Sequence, residues 1–240
     1  MATAIRVFSR ADVMAQKRLQ KNSVSHEVQR LLNRREIVRV GRNRYVWNDE
    51  AKKYSYEPRY SEEYQQFEEF LHRRYPLVDY VHWELWQLNE FMNHQFGKNL
   101  QILDVEPMLA ESVFDVLAEQ FAGKVLYRPD RNTLRLYLGT AEIIVKNLVT
   151  LAPHHRKQPH AIRIEKLIVD LCADKVVREL YNLADLPEAL EQMFDVYAID
   201  ETTMFRYASR RHAKERLRNL IEQETNIHLL TERNHDDCKG

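Results

Sequence analysis

Between residues 10 and 47 the spacing of side-chain types changes once, and that single change leaves few folds open to the start of the chain. Behind Ser9, a residue suited to capping a helix, Val13, Met14 and Lys17 recur at intervals of three and four, predicting a helix from Arg10 to about Leu19. Asn22 or Ser23 is placed to cap a second helix, whose Val24, Val28, Leu31 and Leu32 form one apolar face. After Glu36 the period becomes two: Ile37, Val38 and Val40, then Gly41-Arg42-Asn43-Arg44, then Tyr45, Val46 and Trp47. Alternation on both sides of a tight polar turn predicts a hairpin. Helix, helix and hairpin in this order predict a winged helix-turn-helix.

Charge adds a ligand to that fold. Residues 1–47 hold eleven Lys or Arg against three Asp or Glu, a net +8. The whole chain has 36 of each, so the other residues hold 25 against 33, a net −8. A basic opening segment on an acidic remainder is the footprint of contact with phosphate. The candidate contacts to double-stranded DNA are Lys21, Ser23, Ser25, His26, Gln29 and Arg30 on the second helix, and Arg34, Arg39, Arg42 and Arg44 around the hairpin. The hydroxyl, amide and imidazole groups can bond base edges, and the cations can bond phosphates or enter a minor groove.

At 240 residues the chain is long for one domain and comfortable for two. Residues 1–47 form the first expected domain, and the polar stretch 48–59 (NDEAKKYSYEPR) a linker. Residues 60–226 form a second, larger domain, and 227–240 a polar tail expected to be disordered. The second domain alternates: helix 61–74, strand 77–82, helix 84–96, strand 100–105, helix 107–121, a hairpin of 124–127 with 134–138, and strand 143–148. A helical run follows, at 164–171, 175–183, 187–196 and 202–224. The fold class is α+β, or α/β if the middle strands pair in parallel. Five glycines leave no phosphate-cradling loop of the GxGxxG or GxxxxGK[ST] kind. No apolar run approaches the roughly 18–20 residues of a membrane span, and the first residues lack a signal-peptide core, so the chain reads as soluble and cytoplasmic.

Several groups of residues carry competing readings. His154, His155 and His160 match no zinc spacing, and no cysteine lies near them, so an exposed basic loop is expected there and no metal or cofactor. Cys172 and Cys238 give neither a disulfide framework nor a metal site. Asp104 and Glu106 end a strand, where a nuclease would hold metal-binding acids. Met108 stands where such an enzyme would place a lysine, and charged residues capping the next helix are the simpler account. Tyr75, Tyr80, Trp83 and Trp86 could stack single-stranded bases, but their interleaving with Val78, Val81, Leu85 and Leu88 favours a core. Arg206, Arg210, Lys214 and Arg218 recur every fourth residue, with Arg211 beside them. On one helix 202–224 they would make a continuous basic stripe, either a solvated face or a second anionic contact.

Three segments carry a resemblance. They are Arg39-Val40-Gly41-Arg42-Asn43-Arg44-Tyr45-Val46-Trp47; Ile164-Glu165-Lys166-Leu167-Ile168-Val169-Asp170-Leu171 with Ala173-Asp174; and Arg206-Tyr207-Ala208-Ser209-Arg210-Arg211. Together they resemble the AbiEi-like antitoxins and regulators of bacterial type IV toxin–antitoxin systems, with Asn43 in place of the usual wing glycine. The resemblance implies a winged helix that represses its own operon by binding operator DNA. It also implies a second domain that neutralises a nucleotidyltransferase-like toxin, with or without direct contact. The expectation is a non-enzymatic, DNA-binding antitoxin. Its rivals are a nuclease or nucleotidyltransferase targeted by the winged helix, and a protein-binding adaptor without affinity for DNA.

Overall fold

A computed structural model describes residues 8–17, 21–33, 36–41, 43–47, 53–155 and 157–230. It is a mixed α/β structure with a small mixed sheet and a helical C-terminal run. The opening segment contains α1 (Arg10–Lys17), α2 (Lys21–Asn33) and a hairpin of β1 (Ile37–Gly41) with β2 (Arg44–Trp47). α2 begins at Lys21, so Asn22 and Ser23 lie inside the helix and do not precede it. Val13, Val24, Val28, Leu31, Ile37 and Tyr45 form a core of their own, which Phe8 joins. Phe8 makes an antiparallel bridge to Tyr45, each amide donating to the other's carbonyl at 2.8 Å. That bridge adds an element ahead of α1 that the sequence reading lacked.

Residues 53–59 do not behave as a bare linker. The Tyr54 amide donates to Val196 O and the Ala198 amide to Tyr54 O, and Tyr56 is buried in the main core. Ser61 then caps α3 (Glu62–Arg74), its hydroxyl accepting from the Tyr64 amide. The sheet runs in the order β3 (Tyr80–Glu84), β4 (Gln101–Val105), β6 (Ile143–Asn147), β5 (Val125–Tyr127). β3 is antiparallel to β4, whereas β4, β6 and β5 are mutually parallel, joined through α4 (Ala110–Gln120) and α5 (Arg131–Tyr137). Alternation divides the faces. Tyr80, Leu103, Val105, Ile143 and Val145 pack with Phe67 and Leu71 of α3 and Val113 and Leu117 of α4. Val81, Trp83, Ile102 and Ile144 pack under the helical run of α6 (Ile164–Ala173), α7 (Leu186–Val196), α8 (Glu201–Arg210) and α9 (Lys214–Glu224).

Five expected elements differ. Residues 134–138, read as a strand, form the end of α5 and its C-cap Leu138, because Asp130 accepts the Thr133 amide at 2.7 Å and starts a helix with Leu134 inward. The helix expected at 84–96 is a short 3-10 segment at Leu85–Glu90, and the one expected at 175–183 gives way to 3-10 turns at Val177–Glu179 and Leu183–Asp185. Pro107 lies in a turn ahead of α4 and is not its first residue. The long helix 202–224 is two. α8 closes in a Schellman motif: His212 adopts φ 51°, its amide donates to Ser209 O, and the Ala213 amide donates to Ala208 O. Of the expected tail 227–240, residues 227–230 are described and tied to the body, since Leu229 is buried and the Leu230 amide donates to Glu201 Oε1; residues 231–240 lie outside the described residues. Among the described residues no helix is long and apolar enough to cross a membrane.

Candidate functional site

The described part of the basic segment presents a polar helix face beside a hairpin. Val24, Val28 and Leu31 hold α2 on its core, leaving Ser23, Ser25, His26 and Gln29 exposed. Arg30 is differently placed. Its Nε donates to Glu27 Oε2 and its Nη2 to Glu27 Oε1, both at 2.7 Å, and Lys17 Nζ of α1 reaches Glu27 Oε1 at 2.6 Å. These two partners, Arg30 first, hold the Glu27 carboxyl down to about 2. Arg44 is exposed at the start of β2. Asn43 takes the left-handed conformation, φ 58°, and its Oδ1 accepts the Arg10 amide at 3.2 Å. Asparagine tolerates that region better than most side chains, so it serves where a glycine would. Arg34 and Arg42 lie outside the described residues, as do the side chains of Lys21 and Arg39.

The expected basic stripe does not exist as one line. Arg206 and Arg210 are exposed on α8, and Arg210 Nε donates to Thr150 Oγ1 at 2.5 Å. Lys214 and Arg218 follow the turn at His212 and are half-buried on α9, with the Arg218 guanidinium 5.3 Å from the Phe205 ring centroid. Arg211 turns inward. Its Nη2 donates to Asp174 Oδ2 at 2.8 Å, and its Nε lies 3.6 Å from Asp170 Oδ1.

Arg211 is one member of a closed ring of six alternating charges beneath the sheet. Asp104 of β4 stands beside Lys146 of β6 in register, 3.1 Å between Oδ1 and Nζ. Lys146 continues to Asp174 at 2.9 Å, and Asp174 to Arg211. Arg211 leads to Asp170, Asp170 to Lys166 at 2.5 Å, and Lys166 back to Asp104 at 2.5 Å. Every charge has two opposite neighbours. The Tyr207 hydroxyl donates to Asp170 Oδ1 at 3.1 Å, and the Val176 and Val177 amides donate to Asp174 Oδ1. Burial opposes the charges of Asp104, Asp174, Lys146, Lys166 and Arg211, but the neighbours outweigh it. Asp104 and Asp174 are held below the usual aspartate range, and Lys146 and Lys166 above the usual lysine range.

This ring defines what Asp104 does. It lies 3% exposed between two lysines, while Glu106, two residues on, accepts the Asp79 amide at 3.1 Å. The two acids are therefore not brought together. Two of the segments that carry the resemblance supply Lys166, Asp170, Asp174, Tyr207 and Arg211, so they meet at one structural centre. A signal was present in the sequence: Lys146 directly follows the apolar run Ile143, Ile144 and Val145, and Lys166 and Asp170 sit four apart around the apolar run Leu167, Ile168 and Val169.

A second polar network occupies the opposite face of the sheet. Glu84 accepts from the Ser61 amide and hydroxyl, from Asn99 Nδ2 at 2.6 Å and from Gln101 Nε2 at 2.9 Å. His82 lies between Gln101 Oε1 (2.7 Å) and Glu68 Oε2 (3.0 Å) and ties α3 to the sheet. The histidines of the 154–160 loop go to separate partners. His154 Nδ1 faces Pro159 O, His155 Nδ1 accepts the Gln158 amide, and His160 stacks on Tyr80 with centroids 3.8 Å apart. Tyr80 and Trp83 are buried on opposite faces of β3, whereas Tyr75 is half-buried and Trp86 exposed, so the four aromatics share no surface.

Searches of curated proteins and of solved structures each find no match. Residues 23–227 match DUF6577, a family of unknown function. That span runs from α2 through the hairpin and the whole sheet to the residues after α9, and the chain belongs to this family.

Proposed function

We propose that residues 1–47 form a winged helix-turn-helix, with α2 as the helix entering the major groove and the β1–β2 hairpin as the wing, and that the protein is a double-stranded DNA-binding regulator without catalytic activity of its own. The observation that carries this reading is the exposed face of Ser23, Ser25, His26 and Gln29 beside the hairpin, on a segment whose net charge is +8. The ion pairs of Asp104 with Lys146 and Lys166 support a structural role for that acid. The resemblance adds a finer proposal: the regulator is a cytoplasmic antitoxin that represses its own operon and counteracts a nucleotidyltransferase-like toxin.

The test is binding of the full chain to duplex DNA across a salt series. If about six cations contact phosphates, log affinity falls with log salt at a slope of roughly −5. Arg42→Ala with Arg44→Ala weakens binding to every sequence and flattens the slope by up to about two. Affinity that is negligible at low salt overturns the reading in favour of a protein-binding adaptor. Metal-dependent turnover of nucleic acid that Asp104→Asn abolishes, in a variant that still folds, overturns it in favour of an enzyme. The antitoxin proposal is tested by growth rescue when the chain is co-expressed with a nucleotidyltransferase-like toxin encoded beside it.

A further inference from the structure

The carboxylate of Glu27 meets the Arg30 guanidinium along one edge only. Oε2 accepts from Nε and Oε1 from Nη2, which is the side-on pairing. A guanidinium carries five N–H donors in one plane, and side-on pairing uses two of them. Nη1 takes part in neither bond, so the end-on edge keeps a pair of parallel N–H donors, one from Nη1 and one from Nη2. Exposure runs the same way: 40% of the Arg30 side chain faces solvent, against 15% of Glu27. The acid is the covered member of the pair and the base the presented one. Lys17 Nζ, 2.6 Å from the same Oε1, adds a second cation, so the three side chains together remain positive and do not repel a duplex.

At about 100° per residue, Arg30 lies about 50° from the line opposite Val24, Val28 and Leu31, within reach of anything that faces α2. His26 stands close to that line and Ser23 beside Arg30, and both are exposed. An arginine that only meets phosphate gains little from such a clamp, because the carboxylate weakens its charge. An arginine that reads a base gains more, because its plane is set before contact and less rotamer freedom is lost on binding. Guanine presents two acceptors, O6 and N7, side by side in the major groove, and the parallel donors of one arginine edge match them. Resting on the DNA-binding reading, we infer that Arg30 is a specificity-determining residue that reads guanine through Nη1 and Nη2, with Glu27 as the positioning residue that sets its plane.

The test is selection from a random duplex library with the full chain, followed by affinities for the enriched duplex. The expected result is a motif that contains guanine. Replacing that guanine by 7-deazaguanine, which still pairs but lacks the N7 acceptor, weakens binding roughly 5-fold or more. Arg30→Ala abolishes the sensitivity at one such guanine. Arg30 is half-exposed and alanine is a strong helix former, so the variant folds, and circular dichroism verifies it. In Glu27→Gln the random duplex gains more affinity than the motif does, and the ratio between them falls by roughly 2- to 10-fold. An unchanged ratio overturns the part assigned to Glu27. A motif without guanine, salt-dependent binding with no motif, or 7-deazaguanine sensitivity that survives Arg30→Ala at every position overturns the inference and leaves the DNA-binding reading standing. No enrichment with negligible affinity at low salt overturns both.

Discussion

Lys166→Met removes one cation from the buried ring while keeping an unbranched, helix-compatible side chain of similar length. Lys166 is 1% exposed, and its ammonium lies 2.5 Å from both Asp104 and Asp170. The substitution leaves three carboxylates facing Lys146 and Arg211, one uncompensated charge in the interior. Breaking a buried ion pair from one side costs about 3–5 kcal/mol. For a chain of this length that lowers Tm by roughly 6–20 °C. Adding Asp170→Asn removes the opposite charge and retains an acceptor for the Tyr207 hydroxyl. What is left is the open chain Asp104–Lys146–Asp174–Arg211, neutral and still alternating. The double variant recovers at least half of the lost stability in urea titrations read by circular dichroism. A single variant that costs less than about 1 kcal/mol, or a double variant as unstable as the sum of the two singles, refutes the ring as a coupled unit.

The same ring sets a pH window. Asp104 and Asp174 hold their protons less tightly folded than unfolded. Their contribution is therefore complete above the ordinary value of 3.8 and is lost as the pH falls through the lower folded value. Lys146 and Lys166 hold theirs more tightly, so their contribution is complete below 10.5 and is lost as the pH rises through the higher folded value. Wild-type stability measured against pH shows both flanks, and Lys166→Met shrinks them. Glu27→Gln releases Arg30 and Lys17, so it tightens binding to all duplexes and steepens the salt slope by up to about two; an unchanged slope argues against the clamp. Asn43→Val forces a branched side chain into the left-handed region and costs about 1–2 kcal/mol, whereas Asn43→Gly stays within about 1 kcal/mol of wild type in thermal melts. Compared with a chain truncated after Leu230, one truncated after Asn226 exposes the seat of Leu229 and has a Tm lower by several degrees, about 1.5–3 kcal/mol of lost burial.

Elements with one dominant signal were legible in the sequence. The period of α2, the alternation of the hairpin, Ser61 ahead of α3, and the apolar runs of β4, β6 and α6 all stand close to where they were expected. The misread elements had two competing signals. Leu134-Arg135-Leu136-Tyr137-Leu138 alternates like a strand, but the Asp130 cap prevails and leaves Leu136 and Tyr137 exposed. The break at His212 was hidden because the left-handed position after a helix usually calls for glycine, and here histidine fills it. Once the helix is broken, four cations at equal spacing no longer share a face. The ring itself is assembled from residues up to 107 positions apart in the chain, from Asp104 to Arg211, and no local pattern reports such a closure. Single lysines in apolar segments marked its members without showing their partners.

The bridge from Tyr54 to Val196 and Ala198 fixes where the chain departs from the larger module. Trp47 closes the hairpin seven residues earlier, and seven peptide steps reach at most about 25 Å. If residues 1–47 bind a duplex as proposed, this short tether keeps Tyr54 within about 25 Å of Trp47, and the larger module casts a steric shadow on the neighbouring base pairs without touching a base. Lengthening the stretch 48–52 with flexible residues would widen and weaken that shadow while leaving the affinity of residues 1–47 themselves unaltered.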